Sequence, residues 1–483
     1  MSPFRGTNGI AFGPDGRLHV AEYLSGRISA VDLTTGEIEV IVPIGSVVQS
    51  PDDLAFGADG SMYIADLAPG RVWRRDPLGE YTLVSDEVKA PNGITCVGDR
   101  LFVNEMRPGG RLFELFPDGR EPVVLAADLA IGNAMQAGPD EHLHYPHMLT
   151  GEVHRISPDG GTPELVADGL HSPVAVRFDR EGTLLILSAG VEGEITRISP
   201  TGQRQLLTTG VFGLDNAAVD DDNRVYVSSF AGGGIAELHP DGRIRQIVPQ
   251  GLVGPYGVAV APDGVVHAAD HYRVAGDQAV SFTHGVAADR DRLHTTSQYG
   301  EVRTDGKVRA KGLRCPLGIA VRDDGVLVVA ETGAGRIIAI DADDTVTVLA
   351  DGLRDPVDVA FDAGRRCYVS DEQCVHRVDD GRPVSIAEGL AAPQGLAVRD
   401  DELYVVEAGR RRVLAIDLTT GAIRTEAEDL ALSPLETVPR ALVVHGMPGC
   451  PRGFAGLAVA PDGALHVSGD GAVLRLPRFR SPI

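Results

Sequence analysis

The chain is written in a repeat of about 40 residues, and inside each unit four short strand-like segments follow one another. The first unit shows the pattern as GIAFGPDG, RLHVAEY, GRISAVDLTTG and EIEVIV. Each segment is apolar by alternation or in a run, and each closes on Gly, Asp or Pro turn chemistry. Units begin near residues 7, 51, 91, 132, 173, 213, 255, 284, 316, 356, 393 and 453. Four strands at this period form a propeller blade, and one ring of all these units would exceed the usual range of about four to eight blades. The expected fold is therefore all-β, two tandem six-bladed β-propellers over residues 1–254 and 255–483.

The second ring is expected to be the less regular. Its opening unit, residues 255–283, is too short for four full strands, and its closing unit runs out after the third. The eleventh unit carries an insertion, ALSPLETVPRALVVHGMPGCPRG, before the next blade. Missing outer strands leave open sheet edges, which proteins normally cover.

Aligned on the repeat, one position near the start of each unit's first strand is Asn8, Asp52, Asn92, Asn133, Val174 and Asp215 in the first half. In the second half it is Tyr256, His284, Leu317, Val357, Gln394 and Ala455. The first strand of every propeller blade runs along the central tunnel in the same direction, so these residues converge at one height. Carboxylate and amide oxygens around a point are hard ligands that suit Ca²⁺ or Mg²⁺. Two adjacent buried carboxylates would repel unless a cation neutralised them. Asn and Asp before Gly are also ordinary turn residues. Turn chemistry alone would place them in both halves, and the second half has none at the aligned positions. The expectation is one divalent cation, Ca²⁺ ahead of Mg²⁺ or Mn²⁺, held by Asn8, Asp52, Asn92, Asn133 and Asp215. The second ring is then a scaffold or accessory. Asp53 is expected to point along the tunnel wall, because neighbouring strand residues face opposite ways.

Composition narrows the partners. A formal net charge of −24 argues against a phosphate-backbone footprint, so nucleic acid is not expected. No apolar run approaches the roughly 20 residues that span a bilayer, and MSPFRGTNG has no apolar signal region, so no membrane is expected and the expected location is cytoplasmic. Cys96, Cys315, Cys367, Cys374 and Cys450 show no paired metal spacing and suit reduced, mostly buried thiols.

The blade units PNGITCVGDRLFVNE, PDDLAFGADGSMYIAD and LDNAAVDDDNRVYVSS resemble those of the senescence-marker-protein, gluconolactonase and NHL-repeat group. That group is similar to the diisopropyl fluorophosphatase and paraoxonase propellers. The resemblance covers the first ring well and the second only as fold. It implies a divalent ion in the tunnel on Glu, Asn and Asp ligands at the entry of the inner strands, matching Asn8, Asp52, Asn92, Asn133 and Asp215 here. Where those enzymes usually carry a ligand Glu in the first blade, this chain has Asn8.

The resemblance also implies chemistry. The ion polarises the oxygen of a lactone, ester or phosphoester and lowers the pKa of a bound water, while a carboxylate takes the proton. The leading expectation is a hydrolase of a small-molecule lactone or ester with Asp215 as base or nucleophile and Asp52 second. A metal-dependent lyase or isomerase is the alternative, since virginiamycin B lyase resembles this repeat and opens a cyclic ester with a metal and a His. A non-enzymatic NHL-type binding propeller is the third. His147, in EHLHYPHMLTGEV, and His171, in the loop entering the fifth blade, are candidate proton shuttle and substrate contact. Glu22, Asp66, Glu105, Asp270, Glu331, Asp371 and Glu407 end the second strands of both halves. Five of them are followed by Arg27, Arg71, Arg111, Arg336 or Arg412, which marks them as within-repeat tethers rather than catalytic acids. His147 takes the same position with Glu152 in place of the Arg, a reversed pair.

Overall fold

A computed structural model describes residues 4–190, 192–252, 254, 256–270, 273–275, 282–290, 292–432 and 453–478. Cys450 and most of the eleventh unit's insertion lie outside these residues. Among the described residues the chain is all β, apart from two 3-10 turns at Thr332–Ala334 and Ala408–Arg410. It divides into two compact units, the first over Met1–Gly251 and the second beginning at Leu252.

In the first unit six four-stranded antiparallel sheets each take consecutive strands in simple order. Their innermost strands are Thr7–Phe12, Pro51–Phe56, Pro91–Val97, Gln136–Ala137, Pro173–Phe178 and Leu214–Val219. Each lies beside the next, and Leu214–Val219 returns to Thr7–Phe12, which closes a six-bladed ring. Among the described residues no strand is exchanged between the first and last blades, and side chains join them. Thr7 Oγ1 donates to Ser229 O at 2.7 Å and Ser228 Oγ to Asn8 O at 2.6 Å. Phe4, Ile10, Leu18 and Val20 share one buried cluster with Tyr226, Ile235 and Val248 across the seam. Truncating a fully buried Phe such as Phe4 costs about 3–5 kcal/mol.

The second unit closes in the same way around Val258–Val260, Thr283–Asp289, Pro316–Val321, Pro356–Phe361, Pro393–Arg399 and Leu457–Val459. Among the described residues its first and last sheets show three strands and the other four show four, the irregularity expected from the short terminal units.

The repeat's turn chemistry is visible in the first blade. Gly16 has φ +75°, a left-handed conformation that costs glycine no Cβ clash, and Asp15 Oδ1 accepts Arg17 N at 3.1 Å. Small residues at the tunnel have a different cause. A Cβ on Gly9 would overlap Asp53 Oδ1, because inner strands approach closely at the axis.

Candidate functional site

The entry of most inner strands is a bulge. Pairing skips between Thr7 and Ile10, between Pro51 and Asp53, and between Leu214 and Ala217. A bulge releases consecutive residues from strict alternation, so two neighbours can face the same side. Asp53 therefore does not lie along the wall. Its carboxylate sits in the tunnel, accepting Leu54 N at 2.9 Å and Asn216 Nδ2, from the sixth blade, at 3.2 Å.

The predicted ring residues stand at the entries of the same inner strands. Asn8, Asp52, Asn92, Asn133 and Val174 are buried and Asp215 is half-buried. Asn92 Nδ2 donates to Asp52 Oδ1 at 2.8 Å and lies 3.0 Å from Met106 Sδ. Asn133 is tied differently: its Oδ1 accepts Ala134 N at 2.7 Å, and its Nδ2 lies 3.1 Å from Met148 Sδ. Asn8 Oδ1 and Asn92 Oδ1 are buried with no hydrogen-bond partner. An orphaned buried acceptor costs about 1–3 kcal/mol, and here two of them stand beside carboxylates.

Burial pushes the Asp52 carboxyl well above its usual range, and the Asp215 charge pushes it further, against the hydrogen-bonding Asn8 side chain. Burial, then Asp53, raises Asp215 to about 7 against the opposing pull of Arg177. Burial likewise raises Asp53 to about 6, with Arg177 the largest opposing influence. This donor set fits a hard divalent cation. Asn8, Asp52, Asn92 and Asp215 offer unengaged or strained oxygens, whereas the Asn133 oxygen already serves its own strand.

Arg177 was not foreseen. It reaches from the fifth blade to Ala217 O at 2.8 Å, Met135 O at 3.1 Å, Val176 O at 2.8 Å and Asn216 Oδ1 at 2.5 Å. Its guanidinium is 3.8 Å from Asp53 Oδ2. The equivalent residues include Ala11, Ala55, Thr95, Gln136 and Ala218, and in the second half all are Ala, from Ala259 to Ala458. One long cation in a column of small residues is the signal that marks it. Beyond Arg177 a funnel of about 270 Å³ opens toward the far ends of the inner strands, lined by Ile10, Leu54, Ile94 and Met135 among others. It holds none of the ring oxygens.

Around the ring runs a collar from the residue after each second strand: Tyr23, Leu67, Met106, Met148, Ala189 and Phe230. These are buried or half-buried and mainly apolar, which sustains the low dielectric that raises the carboxyl pKa values. The Tyr23 hydroxyl is buried without a partner, and burial together with Asp52 raises it well above its usual value.

The two candidate histidines differ in setting, and His147 ends its strand beside Gly132, next to Asn133. His147 stacks on His154, ring centroids 4.5 Å apart, with Glu152 4.0 Å from its Nδ1. Burial, then His154, pushes it down to about 4, far from a shuttle's range at neutral pH. His171 is exposed in its loop beside Gly190. The repeated acids are tethers. Glu22 accepts from Arg27 at 2.7 Å and Ser29 at 2.7 Å, and Glu105, Glu331 and Glu407 hold Arg111, Arg336 and Arg412. Asp66 departs from this, holding Ser50 N at 2.7 Å and Trp73 Nε1 at 3.2 Å instead of Arg71.

The aligned positions of the second ring are filled or engaged. Leu317, Val357 and Phe454 pack together, His284 Nδ1 meets Pro316 O at 2.9 Å, and Gln394 Oε1 accepts Ala455 N at 2.6 Å. Cys96, Cys315 and Cys374 are half-buried and Cys367 is buried, so the thiols are less enclosed than expected.

No protein-family model matches the chain, and no curated protein matches it in sequence. Solved structures similar to it include virginiamycin B lyase from Staphylococcus aureus, at TM-score 0.41 and 16% identity over 61% of this chain and 92% of that one. A protein described as a putative gluconolactonase gives 0.42 and 16% over 52% and 91%. Regucalcin from Agrobacterium tumefaciens, described as calcium-binding, gives 0.39 and 19% over 47% and 83%. These are the groups that the blade sequences resemble. The likeness is one of fold. No helix among the described residues is long and apolar enough to cross a membrane.

Proposed function

We propose that the first ring is a divalent-metal-dependent hydrolase site for a small lactone or ester. The observation that carries this reading is the pair of orphaned oxygens, Asn8 Oδ1 and Asn92 Oδ1, set beside Asp52 and Asp215. Charge supports it. Burial raises all three carboxyls, and if Asp52, Asp53 and Asp215 were ionised beside Arg177 the tunnel would carry two uncompensated negative charges, which one divalent ion would neutralise. Asn8, Asp52, Asn92 and Asp215 would hold the ion, with Asn133 as a weaker fifth donor, and Ca²⁺ suits this oxygen set ahead of Mg²⁺ or Mn²⁺.

Such an ion supplies polarisation of the substrate carbonyl and a more acidic bound water. The chain does the rest. Asp52 is fixed by Asn92 and Asn8 and serves as anchor. Asp215, half-buried at the mouth, accepts the proton of the attacking water. Tyr23, Met106, Met148 and Phe230 exclude water and receive the apolar part of the substrate. Arg177 stays below with Asp53 and balances charge. Carboxylates at the ring, with His147 pushed down to about 4 and so a poor proton carrier at neutral pH, support hydrolysis over a metal-and-histidine elimination. The thiols of Cys96, Cys367 and Cys374 suit a reducing, cytoplasmic setting.

The test is a panel of lactones and esters turned over in ¹⁸O-labelled water by calcium-loaded and chelated protein. Metal-dependent incorporation of one label into the product is expected. An alkene product without label, or turnover indifferent to metal, refutes the proposal.

A further inference from the structure

In the first two blades one position trio has a single design. A carboxylate ends the second strand, an Arg faces it at the start of the third, and a donor two residues on completes the set: Glu22, Arg27 and Ser29, then Asp66, Arg71 and Trp73. The fourth blade replaces all three together with His147, Glu152 and His154, His147 pairing with Glu152 in the same register. Replacing the acid and the Arg alone would suffice for a reversed ion pair. The second imidazole goes beyond it.

The geometry points to a second metal site, built from His147, Glu152 and His154 and selective for a late first-row transition ion of the Zn²⁺ class. One ring nitrogen from each histidine and a carboxylate oxygen lie within 4.8 Å of one another. His154 Nε2 is 3.2 Å from Glu152 Oε2 and His147 Nδ1 is 4.0 Å from it. Donors about 2.0–2.1 Å from a tetrahedral ion are separated by roughly 3.3–3.5 Å, so small side-chain rotations complete the cage. Glu152 is already oriented, because Thr150 Oγ1 donates to its Oε2 at 2.9 Å, the outer-shell contact that metal-bound carboxylates carry. His147 Nε2 is buried without a partner, so no hydrogen bond fixes which ring nitrogen faces Glu152. The side chains are 13% (His147), 34% (Glu152) and 20% (His154) exposed, which leaves an entry path and an open fourth position for water.

Two imidazoles and one carboxylate differ in kind from the all-oxygen ring around Asp52. Imidazole favours Zn²⁺, Ni²⁺ or Cu²⁺, whereas carboxylate and amide oxygens favour Ca²⁺ and Mg²⁺. The site is therefore distinct from the proposed tunnel ion and stands whether or not that ion exists. Its role is to tie the second and third strands of the fourth blade where the first and third blades use an ion pair.

The experiment titrates Zn²⁺ into untagged full-length protein saturated with Ca²⁺, reading affinity by calorimetry and stoichiometry by native mass spectrometry. The wild type is expected to take one Zn²⁺ at this site. His147→Ala/His154→Ala should weaken it at least about 100-fold, and Thr150→Val about 10-fold. Asp52→Asn should leave it unchanged. Glu152→Gln, on a part-exposed side chain, tests the same site if the double variant does not fold. No bound Zn²⁺ in the wild type overturns the proposal. Equal affinity in wild type and Glu152→Gln also overturns it, as does loss of the Zn²⁺ in Asp52→Asn.

Discussion

Replacing Arg177 with Met tests whether the tunnel of the first ring is held by charge balance. Met keeps the length and apolar stem but removes the guanidinium from Ala217 O, Met135 O, Val176 O and Asn216 Oδ1, and from Asp53 at 3.8 Å. Breaking a buried charge pair costs about 3–5 kcal/mol, so a loss near 4 kcal/mol, roughly a thousandfold in the folded ratio, is expected. The loss should also depend on pH. Asp53 titrates near 6 in the fold, above the usual carboxylate value, so its contribution is fully present below the unfolded pKa and is lost as pH rises through the folded one. Arg177 lowers both Asp53 and Asp215, so removing it moves both upward and extends the penalty past pH 6. The gap between wild type and variant should therefore widen from pH 5 to pH 8, by about 1.4 kcal/mol for each unit a carboxyl rises. Trp73 is the one tryptophan of the chain and lies in the first ring, bonded to Asp66, so its fluorescence during urea unfolding in chelator reports that ring. A variant as stable as wild type, or a gap identical at pH 5 and pH 8, would refute the charge-balance argument.

Asp215→Asn should fold normally and lose about 10²–10⁴ in turnover, measured on whichever lactone or ester the panel identifies. Glu22→Gln weakens the Arg27 and Ser29 tethers and should lower the Trp73 midpoint while leaving turnover largely intact; the reverse result would exchange the two roles. Chelation should lower the Trp73 transition, since an ion at about 100 times its dissociation constant adds roughly 2.7 kcal/mol, and an unchanged melting profile in verified metal-free protein would show the ring to be a turn feature. In the second ring, burial raises Asp358 to about 7, so the stability of that ring should fall as pH rises from about 4 through 7. Hydrogen exchange over Pro356–Phe361 should slow on acidification across this window, and Asp358→Asn should flatten the dependence.

The fold was legible because it is periodic. A repeat with Pro-Asp-Gly turns specifies strands, order and blade, and the same period singles out Asn8, Asp52, Asn92, Asn133 and Asp215, of which Asn8, Asn92 and Asp215 act on Asp52. What escaped was whatever breaks the period. Asp53 and Asn216 enter the tunnel because the strand entry bulges, and alternation predicts the opposite side. Arg177 acts through a side chain long enough to leave its own blade, and only its contrast with the surrounding Ala column hints at this. The collar of Tyr23, Met106, Met148 and Phe230 follows the period too, but apolar residues after a strand read as core. His147 was visible as an exception, though not its direction, since that depends on His154 stacking against it.

The second ring offers an internal comparison that clarifies Arg177. Asp358 occupies the position equivalent to Asp53 and makes the same clamp, taking Val359 N at 2.9 Å and Leu396 N, from the next blade, at 2.9 Å. It does so without a buried arginine among its influences, burial raising it to about 7, whereas at Asp53 Arg177 opposes the effect of burial. A clamp between inner strands therefore does not need the guanidinium. What the first ring has in addition is Asp52 and Asp215 at the aligned positions where the second has Tyr256, His284, Leu317, Val357, Gln394 and Ala455. Arg177 is therefore an addition of the first ring, bonded to the carbonyls of Ala217, Met135 and Val176 and set beside Asp53, where it also lowers Asp215. The same scaffold can close its mouth with Leu317, Val357 and Phe454 at no electrostatic cost. Where carboxylates stand there instead, burial raises them and a buried cation opposes that rise at Asp215, and the divalent ion we propose would offset the charge that remains on ionisation.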